Sequence, residues 1–500
     1  MRPYPLRQRT SARPGRGGWG WRVVCVLLLA ASAALAREYP PTAPPPKPLV
    51  LPEAVIHELP NGLKVLVIER HRLPLVTLRF VVRAGTEADP PSLPGTGQLV
   101  NALLTEGTTH RSALDIGEAI DSIGGMVDNG ATWDHSYLTL SVLSDHEDRA
   151  FDLVADVIAH PAFAHSEIER QRKQLLSAIE VERDDPSYVA NTAFQGVIFA
   201  GTPYSHPEDG TLESVRRIRE EDLRAYHAQY YRPANCILAV VGDIAAGEAF
   251  TQAERFFGDW ANGPVPAAQP QTTPSATARR VVAIDKPDAV QTEIRIGNLA
   301  PARNSPDYDA LSIANQVLGG PAANRLFRAL RTRQGLTYGA SSDLVCYRRF
   351  GDWEAKTFTR TAETVKSLDI SLDLIKQMRE HRISELELET AQGYLIGHMA
   401  LDFETSEDLA ARFLELLIDD LPLDTWNHFP DHIRALTADE VWDVTRRYLD
   451  PDHNVIVLVG NVAGLQKDLR KLGQVEIIPL SDVDFASPNL ARPSSEAGKP

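Results

Sequence analysis

Cysteine and basic residues are scarce in this chain of 500 residues. It contains three cysteines, too few for a disulfide scaffold or an array of thiolate zinc fingers. Lys and Arg total 51 against 67 Asp and Glu, which gives a net charge of −16. That balance argues against a protein that coats duplex nucleic acid and against a basic membrane-surface protein. The remaining composition, 43% hydrophobic and 24% charged, is that of a globular protein with a large core.

Long apolar runs are scarce as well, and the run at residues 23–36 is shorter than the roughly 20 residues of a spanning helix. It follows six arginines and no acidic residue in 1–22, and it ends in Ala34, Leu35 and Ala36. These features are typical of a secretory signal peptide. We therefore expect a signal peptide at 1–36 and an exported, periplasmic chain without a membrane span; a retained anchor is the alternative.

The cysteines left after such cleavage are Cys236 and Cys346, both within apolar, strand-like segments. Nothing in the sequence indicates that they meet in space. We therefore expect two buried free thiols rather than a disulfide, and we assign them no chemistry.

Proline-rich and polar breaks divide the chain. They predict a Pro-rich leader at 37–52, an N-terminal domain at 53–261, a linker at 262–278, a C-terminal domain at 279–480 and a loose tail at 481–500. The two domains end alike, because residues 218–244 align without a gap on residues 436–462. Tyr230 then matches Tyr448, and Gly242 matches Gly460. This repeat predicts two homologous domains that arose by internal duplication.

The pattern within each domain interleaves strands with paired amphipathic helices. In the first domain, residues 57–68 contain an Asn-Gly hairpin signal, and 75–83 alternate like a strand. Residues 150–160 and 166–182 have helical periodicity. We expect an α+β fold in which each domain is a mainly antiparallel sheet with helices packed on one face.

Several local strings resemble the insulinase/pitrilysin family of zinc peptidases. They are residues 203–210, 223–235 and 240–243 in the first domain, and 285–291 and 324–338 in the second. The resemblance covers about residues 55 to 465. It implies that a chain with one such pair of domains is half of a clamshell dimer, which encloses a chamber of peptide size.

The family's chemistry depends on a His-x-x-Glu-His helix whose two histidines bind Zn²⁺, with the Glu as general base and a distant Glu completing the site. In the matching helix, residues 95–108, the motif positions fall on Gln98, Asn101 and Ala102, and the distant position falls on Ala178. Amides and methyl groups are poor ligands for Zn²⁺. We therefore expect this chain to bind no metal or other cofactor, and not to hydrolyse peptides by itself.

Three other pairs of titratable residues are candidates for a rebuilt metal site. Glu106 and His110 flank a Gly-Thr break, and Glu180 and Glu182 point in different directions on a helix. His428 and His432 are separated by Pro430. We expect none of the three pairs to bind a metal, with Glu180 and Glu182 as solvated surface charge, and we expect isolated histidines such as His160 to lie at the surface or at the rim of the core.

Arg331 and Tyr338 match the arginine and tyrosine with which the family's second domain holds the substrate backbone near the zinc. A guanidinium and a phenol directed at a scissile carbonyl can stabilise its oxyanion. The alternative is an ordinary surface arginine and a core tyrosine.

The chain lacks the zinc-binding motif but keeps the Arg and Tyr of the second domain, and this combination is compatible with three hypotheses about its function. The favoured one is a zinc-less subunit of an exported heterodimeric metallopeptidase, which binds peptides together with a paralogous partner that carries His-x-x-Glu-His and the zinc. The second is a non-catalytic peptide-binding or scaffold protein of the same fold. The third, least favoured, is an autonomous peptidase with a rebuilt metal site.

Overall fold

Two six-stranded sheets, one in each half of the chain, form the framework of the protein. The computed structural model describes residues 49–266, 278–321, 324–487 and 489–491. The predicted signal peptide at 1–36 lies outside the described residues, as do most of the leader at 37–52 and most of the linker at 262–278. No helix within the described ranges is both long and apolar enough to cross a membrane.

The N-terminal half alternates strands and helices as its sequence pattern predicts. Its strands are β1 Ala54–Glu58, β2 Lys64–Glu69, β3 Leu75–Val82, β4 Met126–Ala131, β5 Ser136–Leu143 and β6 Cys236–Gly242. Its helices are α1 Thr96–Leu103, α2 Ala113–Ser122, α3 Glu147–Ala159, α4 His165–Glu182, α5 Pro186–Ile198, α6 Leu212–Arg217, α7 Glu220–Tyr230 and α8 Ala246–Phe257. The predicted hairpin is confirmed: β1 pairs antiparallel with β2 across a turn in which Gly62 has a φ of 91°.

The C-terminal half repeats this alternation. Its strands are β7 Arg280–Asp285, β8 Gln291–Ala300, β9 Ala340–Cys346, β10 Gly351–Arg360, β11 Val455–Gly460 and β12 Val475–Pro479. Its helices are α9 Tyr308–Leu318, α10 Arg325–Phe327, α11 Thr364–Glu380, α12 Glu385–His398, α13 Ser406–Ile418, α14 Thr425–Ala435, α15 Ala438–Tyr448 and α16 Gln466–Leu469.

The two sheets have corresponding strand orders, β1-β2-β6-β3-β5-β4 and β12-β7-β11-β8-β10-β9. In the first sheet the β2–β6 pair is parallel, and in the second β7 is parallel to both β11 and β12, whereas the remaining pairs are antiparallel. The predicted α+β class with mainly antiparallel sheets is therefore confirmed. Residues 218–244 form helix α7 and strand β6, and the aligned residues 436–462 form helix α15 and strand β11. The two matched segments therefore have the same order of elements.

The prediction of helices on only one face of each sheet is incomplete, because each half covers the second face of the other half's sheet. Helix α13 packs on β3 and β6 of the first sheet, where Leu409 and Phe413 contact Val241 and its neighbours. Reciprocally, α5 packs on β8 and β11 of the second sheet, where Phe194 joins Val457 in one core cluster. Strands β6 and β11 are buried at every position, and a strand of that kind must be covered on both faces.

The prediction of a loose tail from Ser481 is wrong as far as Ala491. Val483, Phe485 and Leu490 are buried in the same core cluster as α5, and Val483 forms a β-bridge with Ala491. The three apolar side chains bury enough surface to hold this polar-looking segment against the protein. Residues 492–500 of the predicted tail lie outside the described residues.

The two cysteines of the described residues are free, as expected. Cys236 is buried in β6 and Cys346 is half-buried at the end of β9. Burial raises the pKa of the Cys346 thiol to about 12 and that of Cys236 well above its ordinary value. Both thiols are therefore protonated at neutral pH and unreactive.

Candidate functional site

The helix that carries the degenerate motif is held at its N-terminus by Asp89. The two carboxylate oxygens of Asp89 accept hydrogen bonds from the backbone N–H groups of Gly95 and Gly97, at 2.6 and 2.7 Å. The α-helix ends at Leu103, earlier than the predicted 95–108. It still includes all three motif positions, and it packs against α4, which carries Ala178.

Asn101 lies at the position of the general base, and both ends of its side-chain amide are hydrogen-bonded within the protein. Its side chain is 1% exposed, its Nδ2 donates to the Tyr137 carbonyl at 3.0 Å, and its Oδ1 accepts from Asn129 Nδ2 at 2.8 Å. Both ends of the amide therefore tie α1 to strands β4 and β5. A buried amide with both ends satisfied is a structural group, and it has no basic lone pair with which to take a proton from water.

The other three motif positions cannot hold Zn²⁺ either. Gln98 is half-buried, and its Oε1 accepts a hydrogen bond from the Ala131 backbone N–H at 3.2 Å. Ala102 is half-buried and Ala178 is exposed, and neither carries a donor atom. The family's zinc therefore does not fit the residues present, since imidazole and carboxylate are replaced by occupied amides and methyl groups.

One carboxyl group, that of Asp209, contacts Gln98, and two more lie near Asp209; the sequence reasoning missed this feature. Burial raises the pKa of Asp209, and a hydrogen bond with the Gln98 side chain opposes that rise. Burial and then the Asp209 charge raise the pKa of Glu208 to about 7, and the same two causes raise the pKa of Glu182. Asp209 lies in one of the strings that carry the family resemblance, but nothing in that string indicates that it approaches α1.

Replacing Asn101 by alanine should lower the free energy of unfolding by about 1–3 kcal/mol, because the Tyr137 carbonyl and the Asn129 amide lose buried partners. Urea denaturation of the purified chain measures the change. Gln98→Ala is the matched control, since the Gln98 side chain is only half-buried. Equal effects of the two substitutions would contradict the structural role given to Asn101.

The three pairs considered for a rebuilt metal site bind separate partners. Glu106 accepts from Gln171 Nε2 at 2.7 Å, whereas His110 lies 2.7 Å from an oxygen of Asp156. The two histidines of the second pair also have different partners, since His428 pairs with Asp424 and His432 pairs with Asp309. In the third pair, Glu180 lies 3.5 Å from Arg216.

Arg331 lies on a widened helical turn at the end of a short, capped helix. Asn324 caps α10 by accepting from the Phe327 N–H at 2.7 Å, and α10 continues into the π-helical segment Arg328–Arg333. Leu330 is buried beneath this turn, whereas the Arg331 guanidinium is exposed and lies 4.9 Å from the centre of the Phe327 ring. π-helical turns of this kind are frequent at functional sites.

Tyr338 lies in the loop between this segment and β9, and its side chain is 78% exposed. This exposure excludes the interpretation of Tyr338 as a core tyrosine. Among the contacts of the described residues, neither Arg331 nor Tyr338 has a side-chain hydrogen bond or ion pair, so both groups are available to a ligand. The role predicted for the two residues in substrate binding stays a prediction.

A charged pair fixes the start of the Arg331 segment. Arg325 donates two hydrogen bonds to the Glu387 carboxylate, at 2.8 and 2.9 Å. Chiefly because of the Arg325 hydrogen bond, the pKa of Glu387 is lowered to about 2. The pair is therefore ionised at neutral pH, and it joins α10 to the first turn of α12.

A cavity of about 1020 Å³ lies beside the Arg331 segment. Phe327, Arg328 and Thr332 form one side of it, and the edge strand β9 forms another. Its wall includes the buried Arg295, whose guanidinium donates to Glu293, Asn191 and Ser187 at 2.7–2.8 Å. The cavity is large enough for several side chains of an extended peptide.

Comparison with known proteins finds two family models that match this chain. Residues 64–207 match insulinase (peptidase family M16), and residues 217–395 match the peptidase M16 inactive domain. An uncharacterized zinc protease of Mycobacterium leprae is 26% identical over 404 residues, which are 80% of this chain and 90% of that protein. The non-peptidase homolog YmxG of Helicobacter pylori is 22% identical over 417 residues, covering 82% of this chain and 94% of the relative.

A solved structure has the same architecture. The crystal structure of a peptidase M16 inactive domain from Pseudomonas fluorescens matches with a TM-score of 0.76 and 27% sequence identity. The match covers 82% of this chain and 98% of that one.

Proposed function

Because this chain belongs to the insulinase family of peptidases, peptidase family M16, and lacks that family's zinc-binding motif, we propose that it is the zinc-less subunit of an exported heterodimeric metallopeptidase. The chain itself is a non-catalytic member of the family. In the proposed complex a paralogous partner with a His-x-x-Glu-His helix holds the zinc, and this chain forms the other half of the clamshell. The proposal includes the internal duplication, the signal peptide and the periplasmic location.

The observation that carries the proposal is the contrast between the two candidate regions. At the degenerate motif, Asn101 and Gln98 are bound to protein groups, whereas Arg331 and Tyr338 are exposed and not hydrogen-bonded to described residues. A guanidinium and a phenol that face solvent can donate to a substrate carbonyl in a neighbouring subunit.

Peptides in an extended conformation are the substrate class that suits the region beside Arg331. Strand β9 is an edge strand, so its outer backbone groups can pair with an added strand. The cavity next to β9 offers room for the side chains of that strand. We propose that β9 and the cavity hold the substrate while Arg331 and Tyr338 contact its scissile region.

Co-expression of the mature chain with a paralogue that carries His-x-x-Glu-His should give a stable complex with peptidase activity. We expect cleavage of a quenched fluorescent peptide by the mixture and none by this chain alone, because neither a metal ligand set nor a general base is present at α1. Size-exclusion chromatography checks the assembly. Activity of the isolated chain would contradict the proposal, and so would equal activity of the paralogue with and without this chain.

A second candidate function is a non-catalytic binding protein of the same fold. The relative named a non-peptidase homolog, which spans 82% of this chain, favours it. Such a protein would bind peptide segments of its neighbours in the same cavity without cleaving them. Its copurification with a large assembly that contains no peptidase would support this alternative.

A further inference from the structure

Two imidazoles and a carboxylate converge on the surface of the N-terminal half, away from the degenerate motif. Asp156 lies near the end of α3, His160 follows that helix, and His110 lies in the loop after α1. One candidate ligand atom from each of the three residues lies within 4.8 Å of the other two. Asp156 and His160 are four residues apart, so they lie on the same face of the helix end.

The separations suit a tetrahedral metal ion. Nδ1 of His110 lies 2.7 Å from Asp156 Oδ1, and Nδ1 of His160 lies 3.5 Å from the same oxygen. Ligand atoms about 2.0–2.1 Å from a tetrahedral Zn²⁺ are about 3.3 Å apart, and the two observed distances lie on either side of this value. An ion that enters would replace the hydrogen bond between His110 and Asp156, and these two nitrogen–oxygen distances would need only small side-chain movements.

A second set of contacts fixes the carboxylate and leaves one oxygen directed at the two rings. Asp156 Oδ2 accepts from Thr108 Oγ1 at 2.8 Å and from Arg111 Nη1 at 2.6 Å, and Asp156 is 6% exposed. Outer contacts of this kind orient ligands and raise metal affinity. Arg111 also pairs with Asp152 at 2.6 Å, so a second carboxylate offsets the charge of this guanidinium.

The rings themselves are open to solvent. The side chains of His110 and His160 are 60% and 52% exposed, and their ring centroids are 4.9 Å apart in an edge-to-face arrangement. A metal ion in bulk solution therefore has access, and water can complete its coordination. His71 also contacts two carboxylates, but its geometry is different. Asp243 lies at its Nδ1 and Glu69 at its Nε2, on opposite sides of the ring, so both carboxylates and the ring cannot bind the same ion.

We propose that His110, Asp156 and His160 form a surface site for a divalent transition metal of the zinc class, with two nitrogen ligands and one oxygen ligand. Imidazole and carboxylate together suit Zn²⁺, Co²⁺ and Ni²⁺ rather than Ca²⁺ or Mg²⁺. The site is independent of the proposed peptidase complex, because none of its ligands belongs to α1, α4 or the Arg331 segment. It revises the expectations that this chain binds no metal, that the pair of Glu106 and His110 is not a metal site and that His160 is an ordinary histidine.

The test is a zinc titration of the metal-free mature chain, followed by calorimetry and by metal analysis after dialysis. We expect about one zinc ion per wild-type chain, and affinity at least about tenfold weaker in His110→Ala and in His160→Ala. His71→Ala, the matched control, should bind zinc like the wild type. Cobalt bound to the wild type should show visible absorption that the double variant His110→Ala/His160→Ala lacks.

Equal zinc content in the wild type and the double variant would overturn the proposal. Both substituted histidines are exposed, so the variants should fold, and circular dichroism verifies this. The peptidase assay of the co-expressed complex separates the two proposals, because the double variant should leave cleavage unchanged. Zinc in the isolated chain without peptidase activity would thus support this site and leave the proposed function intact.

Discussion

Replacing Arg331 by alanine should lower the kcat/KM of the assembled peptidase about 100-fold while the two subunits still associate. The expected size is that of one hydrogen-bond donor lost from a developing oxyanion, about 10²–10³ in rate. Arg331 makes no ion pair among the described residues, and its guanidinium faces solvent above Phe327. Its removal should therefore cost the fold little. Steady-state cleavage of a quenched peptide by the purified complex measures the effect.

Arg333→Ala is the matched control, because Arg333 is an exposed arginine on the same widened turn. It should leave kcat/KM within about twofold of the wild type if only the position of Arg331 contacts the substrate. Tyr338→Phe, which removes one hydroxyl and keeps the ring, should have a smaller effect of about tenfold, the loss of a single hydrogen bond. Unchanged activity of Arg331→Ala in an intact complex would refute the assignment.

Local patterns predicted the individual elements well, because each depends on near neighbours in sequence. The hairpin signal at 57–68 forms β1 and β2, and the helical periodicity at 166–182 forms α4. The matched segments 218–244 and 436–462 form the same helix and strand in each half. Turn chemistry and amphipathic spacing suffice for such elements.

The reciprocal covering of the sheets was not predicted, since it depends on contacts between segments far apart in the chain. Helix α5 carries a signal that could have found it. Val189, Phe194 and Ile198 lie among small or apolar residues on nearly every side of the helix. A helix of that composition is expected to be buried on all sides. The other helices of its half already cover the first sheet, so α5 needs a further surface to pack against. Periodicity alone does not say which surface completes the burial.

In the candidate site, too, the sequence predicted features that depend on neighbouring residues and missed contacts between distant segments. Gln98, Asn101, Ala102 and Ala178 could be placed from the sequence, because the motif spacing on a helix is local. The partner of Asn101 on β4, the Asp209 carboxyl group beside Gln98 and the meeting of His110 with Asp156 and His160 could not. Each of these contacts joins segments that only the folded chain brings together.

Replacing Phe194 by alanine should lower the free energy of unfolding by about 3–5 kcal/mol, the cost of removing a fully buried phenylalanine from a packed core. Its ring is 0% exposed, on the helix of the first half that covers the second sheet. The ring lies so close to Gly297 of β8 that a Cβ there would be 2.7 Å from Phe194 Cζ. Urea denaturation of the isolated chain measures the change.

Leu386→Ala is the control for this prediction, since it also truncates an apolar side chain on a helix but at a position that is 73% exposed. It should change the free energy of unfolding by less than about 0.5 kcal/mol. If α5 holds the halves together, Phe194→Ala should also weaken peptide cleavage by the complex, because the cavity beside Arg331 has Ser187 of α5 in its wall. A loss of stability no greater than that of Leu386→Ala would mean that the second sheet does not need α5, and that the two halves fold as separate units.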